Sequence, residues 1–286
     1  MWRGLPIEGE IMFGRNRRAF VPAQHLAPKH RVQIRRVSDV TVPAANDKID
    51  LIKKAGVSFE KKVESAVKVN MAKGGANNNV RWSVITLIDE SLSMGPFFRD
   101  GTVQEITERF LAWAATKDSD GMAPVGAFGS HHIWHEEVDL TNVVGIVNAK
   151  GWAPWGSTNL ASSLQAILDM IREMGDGWQF DPILLGIVTD GRPDDQEAVK
   201  RLICELSQYA VLVKILRVGN DPWAKQFTDY LDDMEDHSPG ARLFDNVDCP
   251  KEALYKGMPD DKFNADMTAE TDSAVNGMIA AGVLYE

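Results

Sequence analysis

The sequence predicts an α/β fold, a doubly wound and mostly parallel sheet with helices on both faces, and three observations carry that prediction. Apolar, β-branched runs recur at RWSVITLID (81–89), PILLGIVTD (182–190) and AVLVKILRVG (210–219). None alternates cleanly, as expected of strands buried on both faces. Between them lie segments with helical periodicity, and alternation of the two kinds is the signature of a parallel sheet with crossover helices. Finally, 286 residues with 44% hydrophobic and 25% charged side chains can enclose a sizeable core, which excludes disorder along the whole chain.

Taken in order, residues 1–47 mix proline, arginine and short apolar pieces without a sustained period, so they read as a basic arm with a few short strands. Residues 48–79 form a helical segment and a linker. Ile49, Ile52, Val57, Val63 and Val67 predict one or two helices interrupted near Gly56, and the Gly/Asn cluster of MAKGGANNN breaks them. The main domain spans 80–258. After its first strand, a helix is predicted over 102–116, with Val103, Ile106, Phe110, Leu111 and Ala114 on one face. Short strands follow at 122–130 and 132–138, a short helix at NVVGIVNA, and an amphipathic helix at 159–174. Further helices fall at 197–208 and 222–234, and ARLFDNVD (241–248) reads as the last strand. Residues 259–286, rich in small and acidic side chains, are a helix-bearing or loosely ordered tail.

The formal charge of −10 conceals a division: residues 1–81 hold 16 Lys/Arg against 7 Asp/Glu, while the remainder holds 15 against 34. A basic arm beside an acidic domain either packs on that domain or meets an anionic partner. Aromatic side chains do not interleave with the arginines, so nucleic acid is a minor hypothesis. No apolar run reaches about 18 residues and the N-terminus lacks the apolar centre of a signal peptide, so a cytoplasmic location is expected, with a virion as the alternative. Cys204 and Cys249 belong to no CxxC pair and read as reduced structural thiols.

Two of the buried strands run into acids, the first into Asp89-Glu90-Ser91-Leu92-Ser93 and the second into Thr189-Asp190-Gly191. In open parallel sheets, ligands sit beyond the carboxyl ends of the strands at the switch point of strand order. Asp89, Ser91 and Ser93 place a carboxylate and two hydroxyls on one turn, and Thr158 of Gly156-Ser157-Thr158-Asn159 adds a hydroxyl before a helix. Such an all-oxygen set suits a hard dication such as Mg²⁺. Without one, Asp89 and Asp190 are close like charges.

DxSxS at 89–93, the GSTN threonine and the TDG aspartate, in this order, resemble the metal-ion-dependent adhesion site of von Willebrand factor A (vWA) domains, over about residues 80–258. The resemblance implies a Rossmann-like vWA fold in which Asp89, Ser91, Ser93, Thr158 and Asp190 hold Mg²⁺ or Mn²⁺, directly or through water, with a partner's carboxylate completing the shell. LIKKAGVSFEKK, SMGPFFRDGTVQEITERFLAWA and LFDNVD further resemble the bacterial tellurite-resistance and stress-protein branch of TerF type. The first 47 residues do not resemble the calcium-binding β-domain of its larger members.

Phe97, Phe98, Trp152 and Trp155 lie close to the metal motifs in sequence and are candidates either to contact a partner or to seal the core beneath the loops. Arg192 could draw a carboxylate to the ion or neutralise Asp194 and Asp195. Glu90 is expected to point away from the ion, as an acid behind the site or on the surface. His131, His132 and His135 form HHxxH, but strand alternation puts only His131 and His135 on one face, so a solvated edge strand is favoured over zinc. Asp118 and Asp120 of KDSDG read as a helix-ending turn. No nucleotide loop or Ser/His/acid set is evident. The chain therefore reads as a metal-dependent protein-binding module and not an enzyme, with a structural component of a larger particle, assembled through the basic arm, as the alternative. A Mg²⁺-dependent phosphohydrolase, which would need a late lysine such as Lys214 at the site, ranks third.

Overall fold

The computed structural model describes residues 26–39, 50, 52–118, 122–139, 142–175 and 181–286; the first part of the basic arm and Asp120 lie outside them. The central sheet has six strands. They are β2 (Ser83–Asp89), β3 (Met122–Phe128), β4 (His132–Asp139), β5 (Ile183–Thr189), β6 (Val211–Arg217) and β7 (Val247–Asp248), arranged β4-β3-β2-β5-β6-β7. Only the β3–β4 pair is antiparallel. β5 and β6 are buried along their whole length, as is β2 beyond Ser83, which is why their sequences run apolar without alternation. A separate parallel pair joins β1 (Val32–Gln33) to β8 (Leu284–Tyr285).

Helices flank the sheet in two groups. One comprises α1 (Val57–Lys73), α3 (Thr102–Ala114) and α9 (Asp260–Thr268); a short α2 (Gly95–Arg99) precedes α3. The other comprises α5 (Leu160–Met174), which follows a single turn α4 (Ile146–Ala149), and α6 (Gln196–Leu206), packed against one another. α7 (Pro222–Asp232), with α8 (Met234–His237), lies along β6 and β7, and α10 (Thr271–Ala280) leads into β8. The predicted interruption falls where expected: Gly56, at φ +102°, precedes α1 in a conformation that side-chain-bearing residues avoid.

The structure corrects three local readings. α3 is buried almost all round, not on one stripe, because α1 and α9 cover its outer face. The buried polar groups there are paired: Lys62 with Glu108 at 2.6 Å, Arg109 with Glu105 at 2.8 Å, and Gln104 with Glu108 at 2.8 Å. The Gly/Asn segment is no loose linker, since the Asn77 N–H donates to Asp272 at 2.7 Å and Lys117 donates to the Asn78 carbonyl and side-chain oxygens at 2.8 and 2.6 Å. ARLFDNVD supplies only a two-residue strand. Arg242 turns inward to donate to the Leu231 and Asp232 carbonyls at the end of α7, Asn246 donates to the Ile203 carbonyl, and these side chains hold the backbone off the ladder.

The described part of the arm packs on its own domain. Lys29 pairs with Glu205 at 2.8 Å, Arg35 with the buried Asp181 at 2.8 Å, and Arg36 with Glu286 at 3.0 Å. Residues 259–286 likewise pack as helices, burying Phe263, Met267, Val275 and Met278.

Candidate functional site

From β2 the chain moves to β3 and β4 on one side, then returns to β5, β6 and β7 on the other, so the switch point lies between β2 and β5. Ile88 is in register with Val188, which sets Asp89 level with Thr189 and Asp190 one residue beyond the strand end. Both acids thus occupy the edge where open α/β sheets bind ligands.

Asp89 is fully buried, and its bonded partners are neutral. One carboxylate oxygen accepts the Ser91 N–H at 2.8 Å, and the other accepts the Thr189 hydroxyl at 2.6 Å. Burial pushes its pKa up to about 6, the hydrogen bonds of Ser91 and Thr189 pull it back, and the charge of Asp190 raises it again. The Ser91 and Ser93 hydroxyls lie 3.0 Å apart, and Ser93 Oγ donates to Asp190 at 3.0 Å. Burial also raises the Asp190 pKa, against the Ser93 hydrogen bond, and Asp221 adds its negative charge.

Thr158 arrives from the loop before α5. Its N–H donates to the Asp194 carboxylate at 3.2 Å and its carbonyl accepts the Asp194 N–H at 2.9 Å, a reciprocal clasp between the two loops. A methyl placed on Gly191 would lie 3.9 Å from Thr158 Oγ1 and 3.8 Å from an Asp89 carboxylate oxygen, so both converge on the Gly191 backbone. Gly156 is required for this approach: a Cβ there would fall 2.5 Å from the Ser130 nitrogen. The structure therefore brings Asp89, Ser91, Ser93, Thr158 and Asp190 together.

Five oxygen donors, two of them carboxylates whose ionisation is opposed by burial, form a set that a hard dication fits: its charge would offset what burial disfavours. Asp89, Ser91, Ser93, Thr158 and Asp190 are the residues that would hold it. When bound, the ion supplies a Lewis-acidic position able to accept an external carboxylate.

The aromatic candidates divide. Trp155 donates its indole N–H to Glu90 at 2.6 Å, and its backbone N–H to the Glu90 carbonyl at 2.7 Å. Glu90 is only 2% exposed, an interior acid and not a surface one, and its other carboxylate oxygen lies 2.8 Å from His135 Nε2. His135 stacks on Trp152 with ring centroids 4.3 Å apart, and His131 lies 4.6 Å from Trp155. His132 turns the other way, 2.7 Å from the Ser163 hydroxyl. The HHxxH residues thus have separate partners and do not converge. Phe97 rests against Gly219, and both Phe97 and Phe98 are half-buried against the core. Arg192 is exposed, 5.8 Å from the Trp223 ring centroid, while Asp194 and Asp195 accept backbone N–H groups of Thr158 and Ala161.

Sequence reasoning missed the Glu90–His135–Trp155 cluster and the prominence of Leu92 and Trp223, which are 71% and 63% exposed. A signal existed for the first. An acid following a buried strand's last residue takes the opposite side from Asp89, where only a donor could make it tolerable. A second group of acids, Asp232, Asp248 and Glu270, lies within 4.8 Å of one another where β6 and β7 meet the C-terminal helices, with Lys214 bonded to Asp248.

Comparison with curated proteins finds no match. Among solved structures, the chain is similar to the manganese-loaded TRAP protein of Plasmodium vivax, at 16% identity and a TM-score of 0.44 over 59% of this chain and 68% of that one. It is also similar to the SpRpn10 VWA domain, at 13% identity and a TM-score of 0.42 over 67% of this chain and 96% of that one. The family model that matches residues 81–284 is described as vWA-TerF-like, the vWA found in the TerF C terminus. That span is well over half of the chain, and the protein belongs to the vWA-TerF-like family.

Proposed function

We propose that this protein is a metal-dependent protein-binding module in which Mg²⁺ or Mn²⁺, held by Asp89, Ser91, Ser93, Thr158 and Asp190, captures an acidic residue of a partner. The observation that carries this reading is the convergence of those five oxygen donors at the switch point, around an aspartate whose own bonded partners are neutral. The TerF-type family supports a place in bacterial tellurite or chemical-stress resistance, as a scaffold in a multiprotein complex. The phosphohydrolase reading needs a lysine at the site, and Lys214 is instead fully buried against Asp248 and the Ala269 carbonyl. Assembly of a larger particle through the basic arm draws less support, because Lys29, Arg35 and Arg36 of the described arm pair with acids of their own chain.

The test is calorimetric titration with Mn²⁺, followed by partner capture from the native host with and without EDTA. Asp89→Ala is expected to abolish both metal uptake and EDTA-sensitive capture while the circular dichroism spectrum is retained. Capture that survives EDTA or this substitution would refute the reading.

A further inference from the structure

We infer that the partner contacts the ion from the α7 side of the site, over Leu92, Arg192 and Trp223, and that the segment bound there is an acidic residue with an apolar neighbour. This rests on the metal-capture reading and adds the surface and the chemistry that select the partner.

The two sides of the site differ in what they leave available. Toward β4, Trp152 and Trp155 are half-buried and engaged with Glu90, His135 and His131. Leu92 stands between Ser91 and Ser93 in the metal turn, with 71% of its surface exposed. Ser93 bonds Asp190, two residues before Arg192, whose guanidinium lies 5.8 Å from the Trp223 ring centroid. Trp223 is 63% exposed, and its position is fixed by the start of α7, where Asp221 accepts the N–H groups of Trp223 and Ala224 at 2.8 and 2.7 Å. Leu92 is thus adjacent to Ser93 in the chain, Arg192 lies two residues beyond Asp190, and Trp223 lies two residues beyond Asp221, whose charge acts on Asp190.

Solvent-facing apolar groups beside a polar centre are characteristic of contact surfaces, and tryptophan and arginine are over-represented among residues that dominate binding energy. The ion itself selects an acid; Arg192, two residues beyond Asp190, adds positive charge that offsets the nearby Asp194 and Asp221. In an extended segment the residues two positions from that acid share its face, about 6.6 Å away, so an apolar side chain there can cover Leu92 or Trp223.

A random peptide display library panned on the full-length, Mn²⁺-loaded protein tests this, with affinities of the enriched peptides measured by fluorescence polarisation at Mn²⁺ concentrations that saturate each variant. Enriched sequences are expected to carry Asp or Glu with an apolar residue within two positions, and Leu92→Ser and Trp223→Ala are each expected to weaken them about tenfold or more. Peptides enriched for acids without an apolar neighbour, affinities unmoved by both substitutions, or no enrichment at all would overturn the inference. Binding that persists in Asp89→Ala would instead refute the metal-capture reading on which it stands.

Discussion

Two buried carboxylates of the same sheet are treated in opposite ways. Asp248, on β7, is bonded to the fully buried Lys214 of β6, which also donates to the Ala269 carbonyl at 2.8 Å and lies 5.8 Å from the Trp113 ring centroid. Burial pushes the Asp248 pKa up and Lys214 pulls it back. A second lysine, Lys117, sits 5.6 Å from the same ring, its pKa lowered to about 8 by burial and by Lys214. Asp89, at the end of β2, is as deeply buried, yet its bonds come from a backbone N–H and a hydroxyl. Burial is thus no guide to role by itself; the charge of the bonded partner is. Where the fold supplies the cation, the acid serves the fold. At Asp89 it supplies only neutral donors, which on the metal-capture reading leaves the carboxylate for a dication.

The largest effect should come from breaking the compensated pair. Lys214→Met leaves Asp248 buried without its cation and should destabilise the protein by about 3–5 kcal/mol, read from urea denaturation. A loss below about 1 kcal/mol would mean that Asp248 is protonated in the fold and the contrast fails. Next comes the uncompensated acid. Mn²⁺ at one hundred times its dissociation constant should stabilise the wild type by about 2.7 kcal/mol, and Asp89→Asn should lose that increment. In metal-free buffer at pH 7 the same substitution should stabilise by about 1–2 kcal/mol, because it removes a charge that burial opposes.

The smallest effect sharpens the comparison at Asp232, beside Asp248. Burial, with Asp248 and Glu270, raises its pKa to about 7 from the usual 3.8. The folded chain therefore keeps a proton that the unfolded chain releases, so this group's contribution falls as pH rises from about 4 to 7 and changes no further above that. Asp232→Asn removes the dependence. The stability difference between wild type and variant, from urea midpoints at pH 5 and 7.5, should move against the wild type as pH rises; a constant difference would contradict the assignment.

Much of the fold was legible because it depends on local pattern. Strands β2, β5 and β6 are apolar along their length since both faces are covered, and Asp89, Ser91, Ser93, Thr158 and Asp190 fall at element ends that the pattern fixes. What escaped depends on pairing between distant residues. Glu90 finds its donors in His135 and Trp155, 45 and 65 positions away, and no period in the sequence links them. Arg242 and Asn246 defeat the predicted last strand for the same reason, since their acceptors belong to other elements. The stripe of α3 was misread because one helix shows what is apolar, not what will cover its polar side; Lys62, Val143 and Asp260 do that from elsewhere in the chain.

The parallel pairing of β1 with β8 has a bearing on synthesis. Val32 leaves the ribosome long before Leu284, so the early strand must wait, with its backbone groups hydrated, until almost all of the described chain has been made. Neither strand belongs to the six-stranded sheet, although Val32 and Leu284 reach into its hydrophobic core. Joining such remote segments costs loop-closure entropy unless the intervening chain is already compact. The clasp is thus expected to close late in folding, after the sheet that carries the switch point.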